Sequence, residues 1–345
     1  MQTKTDNQHT MNIIIPMAGM GKRMRPHTLT TAKPLLPMAG KPIVQRLVED
    51  IIATCNEKVD EIAFIIGPSF GKEVEKHLCD VAEALGAKGK ICYQEQPLGT
   101  AHAILCAGDT LTGNVFIAFA DTLFKAAFSI DKNKDAIVWT QKVEDPAAFG
   151  VVKLNADNEI EQFVEKPKDF VSDLAIIGVY YFKDGDNLKK ELQRLIDEKI
   201  MLKGEYQITD AMEHMLQNGV KFYTDQVEEW LDCGNKDNTI HTHQRVLENK
   251  KDTEQLVASS ATVEQSIIIA PCCIGEGVVI RNSVIGPHVS LEKGTVVEDS
   301  RITNSIIGAD SIVKNTRIDS SMLGKNVTYS VKPTELSLGD FSTQI

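Results

Sequence analysis

Residues suited to holding phosphate crowd into one short stretch. Ile13-Ile-Ile-Pro-Met-Ala18 runs into Gly19-Met-Gly21, and Lys22, Arg23 and Arg25 follow at once. Glycines let a backbone approach an anion closely, and successive N–H groups in such a turn form an anion cradle. A further cation arrives in Ala32-Lys33-Pro34-Leu-Leu-Pro37. The pattern is not the P-loop, because no Gly-x4-Gly-Lys-Ser/Thr occurs, and it lacks the third glycine of the dinucleotide fingerprint. On these residues alone two readings stay open: a polyphosphate site, or a tight strand–helix turn with solvated lysines and arginines.

Such a turn needs a strand before it and a sheet around it. Ile13–Ile15, Ile62–Ile66, Ile91–Tyr93 and Val115–Ala120 read as buried strands, with helical patterns over 42–53, 72–85 and 100–107 between them. This βαβ alternation predicts an α/β fold, a Rossmann-like, mostly parallel sheet with helices on both faces. Ligands of such sheets bind at the carboxyl ends of the strands, where Gly19 and Asp121 both fall. Strand-like runs follow at Ile137–Thr140, Gly150–Leu154 and Ile177–Phe182, and helical patterns at 188–200 and 209–217. From Leu256 the period changes. Asn282-Ser-Val-Ile-Gly286, Asn304-Ser-Ile-Ile-Gly308 and the looser Asp319-Ser-Ser-Met-Leu-Gly324 are hexapeptide-like repeats. Such repeats predict a C-terminal left-handed parallel β-helix of about four coils. The expected organisation is a flexible tail over 1–11, a first domain over 12–247, a polar linker at Glu248–Glu254 and a β-helix domain over 256–335.

Composition narrows the partners. The chain has 345 residues and a formal net charge of -11, which argues against non-specific nucleic-acid binding. Seven scattered cysteines with no Cys-x-x-Cys pair read as free thiols of a reducing compartment rather than a zinc site. No apolar run is long enough to span a membrane, and the polar first ten residues are not a signal peptide. A cytoplasmic protein is expected.

Seven ordered motifs carry a resemblance. They are Ala18-Gly-Met-Gly-Lys-Arg23, Lys33-Pro34-Leu-Leu-Pro37, Gln94-Glu-Gln-Pro-Leu-Gly-Thr100, Ala120-Asp-Thr122, Phe149-Gly-Val-Val152, Val164-Glu-Lys-Pro167 and Trp230-Leu-Asp-Cys-Gly234. Together, over 12 to about 245, the chain resembles the sugar-1-phosphate nucleotidylyltransferases, in particular long glucose-1-phosphate thymidylyltransferase-like proteins with a C-terminal β-helix. The resemblance implies joining of a nucleoside triphosphate, dTTP or UTP by preference, to a hexose-1-phosphate, with release of pyrophosphate. It implies Arg23, Lys33 and Lys166 as catalytic cations, and Ala18, Gly19, Gly21, Gln94, Gly99 and Thr100 as nucleotide-binding. In the same way Gly150, Glu165, Lys166 and Gly178 would hold the sugar phosphate. Asp121 and Asp232 would hold magnesium, which needs only one or two carboxylates beside substrate oxygens and water. A lone Asp after a strand otherwise caps a helix or forms a turn. The Gln94 amide offers donor and acceptor to N3–H and O4 of uracil or thymine.

The chain departs from the family pattern in three places. Ala120 stands where a glycine usually precedes the metal aspartate. Ala175-Ile-Ile-Gly178 lacks an asparagine often seen there, which bears on the sugar. Pro16 replaces a leucine. His102, His241 and His243 read as packing residues. His288 lies among the β-helix repeats, where a histidine can serve acyl transfer. The alternatives are therefore a non-catalytic regulatory subunit of the same architecture and a bifunctional acyltransferase. A homo-oligomer is expected, and the β-helix is expected to mediate oligomerisation or an effector response.

Overall fold

The computed structural model describes residues 10–55, 57–126, 130–332 and 334–343. Most of the expected 1–11 tail lies outside the described residues. The chain forms two compact units: residues up to Leu36 with Pro42–Gly234, and Pro37–Lys41 with the chain from Asn235 onward. The polar run 248–254 is not a spacer between them. Its first residues end a helix, and the division falls before Asn235.

The first unit is built on a nine-stranded sheet. Strand β1 (Met11–Pro16) is followed by a small hairpin, β2 (Pro37–Met38) and β3 (Lys41–Pro42), whose residues up to Lys41 belong to the second unit, and by helix α1 (Ile43–Cys55). Then come β4 (Val59–Ile66), α2 (Lys72–Ala84), β5 (Lys88–Tyr93), α3 (Thr100–Leu105) and β6 (Asn114–Ala118). The order β6-β1-β4-β5 is parallel throughout. Ile13, Ile14 and Ile15 of the central strand are fully buried, as expected of a strand covered on both faces.

The chain first moves outward from β1 to β4 and β5, then returns to place β6 on the other side of β1. The strand order therefore reverses between β1 and β6. A crevice at such a reversal is where open α/β sheets bind ligands. Pro16 fits the end of β1 because its carbonyl is the group used there, accepting from the Ala120 N–H at 3.3 Å, and a proline lacks only the donor.

Beyond β6 the sheet turns antiparallel and forks. β7 (Thr122–Lys125), β8 (Ala136–Lys142), β9 (Gly150–Leu154), β10 (Ile160–Glu165) and β11 (Leu174–Phe182) come next. Helices α4 (Gly185–Asp197) and α5 (Ile208–Gln217), then strands β12 (Phe222–Gln226) and β13 (Glu229–Asp232), complete the unit. β11 pairs with β6 and then with both β8 and β9. The fork falls where its register slips between Ile176 and Tyr180, at Gly178, whose φ is +80°. A strand glycine with positive φ marks such a bulge. β7 leaves the main sheet and pairs with β13. β10 carries no clear signal in sequence, because it is an edge strand with Glu161 and Gln162 exposed.

The second unit joins α6 (Lys236–Lys250) to thirteen short strands in three parallel sheets of five, four and four. These parallel stacks are consistent with the left-handed β-helix the repeats predict. Val263, Ile280, Val297 and Val313 are register partners sixteen or seventeen residues apart, and the last three are fully buried. Apolar stacking along the axis is thus the core. At one corner the Ser266, Ser283 and Ser300 hydroxyls accept from the next coil's N–H groups at 3.0, 3.1 and 3.2 Å. On the five-stranded sheet's outer side Glu264, Arg281, Glu298 and Lys314 are stacked in register. Arg281 bonds Glu264 at 2.9 Å and Glu298 at 3.2 Å, and Lys314 reaches Glu298 at 2.6 Å. No helix among the described residues is long and apolar enough to cross a membrane.

Candidate active site

The glycine turn leaves the end of β1 at the β1/β6 reversal. Gly19 is exposed and nothing lies near its missing Cβ, whereas Gly21 is packed. A side chain on Gly21 would sit 2.7 Å from Cβ of Lys33, and its φ of +60° already disfavours one. The Thr28 hydroxyl donates to the Gly21 carbonyl at 2.8 Å. Thr28, buried and unremarked in the sequence, therefore ties the far side of the turn down. Arg23 is exposed in the short helical turn 22–24, Arg25 is exposed beyond it, and Ala18 is half-buried before the glycines.

Lys33 is buried, with 8 % of its surface exposed. Its Nζ lies 2.8 Å from Oδ2 of Asp121. A cation withdrawn from water needs such a partner. β6 ends at Ala118, so Asp121 stands in a short link between β6 and β7, not at the end of a single strand running to Ala120. The link is fixed on both sides: Phe119 N–H donates to Gly178 O at 3.0 Å, and Cys233 N–H donates to Asp121 O at 2.9 Å. Asp232 is the register partner of Thr122. The two aspartates are therefore brought together across the β7–β13 ladder. A Cβ on Gly234 would lie 3.0 Å from both Asp232 carboxylate oxygens, and the Gly234 N–H donates to Asp232 Oδ1 at 3.0 Å, so glycine lets the backbone close on that carboxylate.

A second group assembles at β9, β10 and α5. Glu165 and Lys166 form a 2.9 Å ion pair, and Glu165 Oε2 accepts from the Thr209 hydroxyl at 3.2 Å. Gly150 is the register partner of Glu165, and a Cβ there would meet the Glu165 carboxylate at 3.0 Å. Lys166 holds a left-handed φ of +46°, and its N–H donates to the Phe149 carbonyl at 3.0 Å. Asp210 on α5 has its pKa raised, by burial first and then by the Glu165 charge. Buried Tyr180 feels the charge of both groups. Burial, then the charges of Glu165 and Asp121, raise the pKa of its phenol.

The third group closes on α3. Gly99 has a φ of +108°, and a Cβ on it would strike the Tyr206 backbone at 2.5 Å. Thr100 accepts the Ile208 N–H at 3.0 Å and donates to Gln207 at 3.1 Å. Gln94 Nε2 lies 3.1 Å from Gly99 O and 3.1 Å from His102 Nδ1. His102 is thus tied to the Gln94 amide rather than serving packing alone. Its position eight residues after Gln94, in the first turn of α3, is the only sequence signal for this. In the second unit His243 bonds the buried Ser290 at 2.6 Å. His288 contacts Glu248 at 2.7 Å and Asn304 at 3.3 Å.

Residues 12–249 match the family model described as nucleotidyl transferase. The chain belongs to that family. Among nucleotidyl transferase relatives, the low-salt glycan biosynthesis nucleotidyltransferase Agl11 of Haloferax volcanii is 30% identical over 266 residues, 74% of this chain and 72% of its own length. A glucose-1-phosphate thymidylyltransferase of Streptomyces antibioticus is 32% identical over 249 residues, 69% of this chain and 67% of its own. The bifunctional protein GlmU of Methanococcus maripaludis is 31% identical over 65% of this chain, which spans 51% of that longer protein. Among solved structures, a UDP-glucose pyrophosphorylase complexed with UDP-glucose aligns with a TM-score of 0.56 at 25% identity, over 70% of this chain and 99% of that one.

Proposed function

We propose that this protein joins a nucleoside triphosphate, dTTP or UTP by preference, to a hexose-1-phosphate, glucose-1-phosphate first among them, giving an NDP-sugar and pyrophosphate. The observation that carries the reading is the ion pair of buried Lys33 with the half-exposed Asp121, 2.8 Å apart, beside the glycine turn at the β1/β6 reversal. The relatives named for thymidylyl transfer and UDP-glucose support the same substrates.

In this reaction an oxygen of the sugar phosphate forms a bond to the α-phosphorus, and pyrophosphate departs with the electron pair of the broken P–O bond. Little covalent chemistry falls to the protein, so positioning and charge neutralisation dominate. Ala18, Gly19 and Gly21 admit the triphosphate. Arg23, exposed beside the turn, neutralises the α-phosphate and the departing pyrophosphate. Lys33 stands next to the attacked phosphate. Lys166 takes the sugar phosphate and Glu165 the sugar hydroxyls, while Gly150 and Gly178 let the backbone approach the hexose. Gln94, Gly99 and Thr100 hold the base. Both Gln94 amide hydrogens have protein acceptors, so its oxygen is the end that receives N3–H, and O4 falls to backbone N–H groups of the Gly99–Thr100 turn.

A divalent cation, Mg2+ in this reading, fits Asp121 and Asp232. The β7–β13 register sets Asp232 opposite Thr122, the neighbour of Asp121, and no cluster of three or more such ligands occurs among the described residues. When bound it supplies charge neutralisation on phosphate oxygens. The β-helix serves assembly of identical copies.

The test is pyrophosphate release by the full chain, with five nucleoside triphosphates against a panel of hexose-1-phosphates, with and without EDTA. We expect dTTP or UTP with glucose-1-phosphate to lead and EDTA to stop release. Release with ATP or GTP alone, or none with any pair, would overturn the reading.

A further inference from the structure

The Gln94 amide is held by two protein groups of known polarity. A backbone carbonyl can only accept, so the 3.1 Å contact with Gly99 O fixes which end of the amide carries the hydrogens. The second hydrogen of the same NH2 group faces His102 Nδ1 at 3.1 Å, and that nitrogen must accept. A neutral ring with its hydrogen on Nε2 and its lone pair on Nδ1 meets that demand. Burial, the larger influence, lowers the His102 pKa and favours that neutral form, while the Gln96 backbone pulls the other way. With both hydrogens engaged, the amide offers a ligand only Oε1.

We propose that His102 is a positioning residue that sets base choice. By accepting the second amide hydrogen of Gln94 it presents Oε1 alone to the base. An acceptor there takes uracil and thymine, whose N3 carries a hydrogen, and rejects cytosine, whose N3 is itself an acceptor. Without His102 the amide keeps one tether to Gly99 and gains a hydrogen that can turn toward cytosine N3. The inference rests on the base-reading role proposed for Gln94. It goes beyond that role in making a residue outside the base subsite the source of discrimination.

The experiment measures kcat and KM for UTP, dTTP and CTP with the full chain, as wild type, His102→Leu, His102→Asn and Gln94→Ala. His102→Leu should lower the UTP-to-CTP ratio of kcat/KM about five- to tenfold, the worth of one hydrogen bond. The change should lie mostly in KM for UTP, with kcat within about twofold, because the phosphate-handling residues are untouched. His102→Asn, whose Oδ1 can accept in place of Nδ1, should restore the ratio. His102→Phe takes the place of the leucine variant if that one does not fold. A wild-type ratio in the leucine or phenylalanine variant would overturn the inference, as would an asparagine variant no better than leucine. A wild-type enzyme indifferent to the base, or a Gln94→Ala enzyme with an unchanged ratio, would instead overturn the role of Gln94 itself.

Discussion

Lys33 and Asp121 hold opposite charges 2.8 Å apart, and the proposed reaction would ask each to meet something else: a phosphate for the lysine, a cation for the aspartate. Their pairing keeps a buried ammonium satisfied until those partners arrive. Asp121→Asn and Asp232→Asn should each reduce metal-dependent pyrophosphate release by about a thousandfold, the scale of a lost electrostatic stabiliser. The thermal midpoint should move by only a few degrees for Asp232→Asn, and further for Asp121→Asn, which leaves Lys33 an acceptor but no opposite charge. Retained turnover in either variant would remove that aspartate from the metal site. At this scale the sequence was informative, because phosphate chemistry demands glycines, cations and carboxylates, which are recognisable types. Thr28, Thr209 and His102 were not legible as site residues. Each contributes a hydrogen bond to a group distant in sequence or facing, and their types alone do not distinguish that role from packing.

Glycines at element ends differ in what they tolerate. Gly99 begins α3 with its missing Cβ directed at the Tyr206 backbone, 2.5 Å away. Gly178 sits at the β11 bulge with the Phe119 ring 3.4 Å from its missing Cβ, an ordinary contact distance. Both have positive φ. Gly178→Ala should therefore cost only the left-handed backbone penalty, about 1–2 kcal/mol. Gly99→Ala adds a backbone collision and should cost clearly more, with a loss of nucleotide affinity. Denaturant unfolding of both variants checks the order, and equal costs would contradict it. The helices were legible from their periodicity, since α1, α2 and α5 begin and end within two residues of the expected bounds. The forked, antiparallel half of the sheet was less so. The β11 fork depends on Gly178 meeting Phe119 from the β6–β7 link, and the edge strand β10 alternates too weakly to announce itself.

At the scale of the whole chain, the second unit carries an acid-sensitive fastening between α6 and its own coils. Hydrogen bonds from His288, then Lys251, hold the Glu248 carboxyl down to about 2. A depressed carboxyl pKa stabilises the folded state above the unfolded value, and that contribution is lost as pH falls toward the folded value. Glu248→Gln should therefore lower stability at neutral pH and flatten the acid limb between about pH 4.5 and 2, the two proteins converging at the acid end. Thermal unfolding of the full chain across that range is the measurement, and an unaltered acid limb would show that the fastening contributes nothing.

The alternating column Glu264, Arg281, Glu298 and Lys314 has a consequence for how the coils find their order. Successive coils bury similar apolar residues, so hydrophobic packing alone would accept a stack with one turn skipped. Omitting a turn would lay Glu264 against Glu298, or Arg281 against Lys314, and bring like charges together. The outer column thus proofreads the threading of a repetitive interior that cannot check itself.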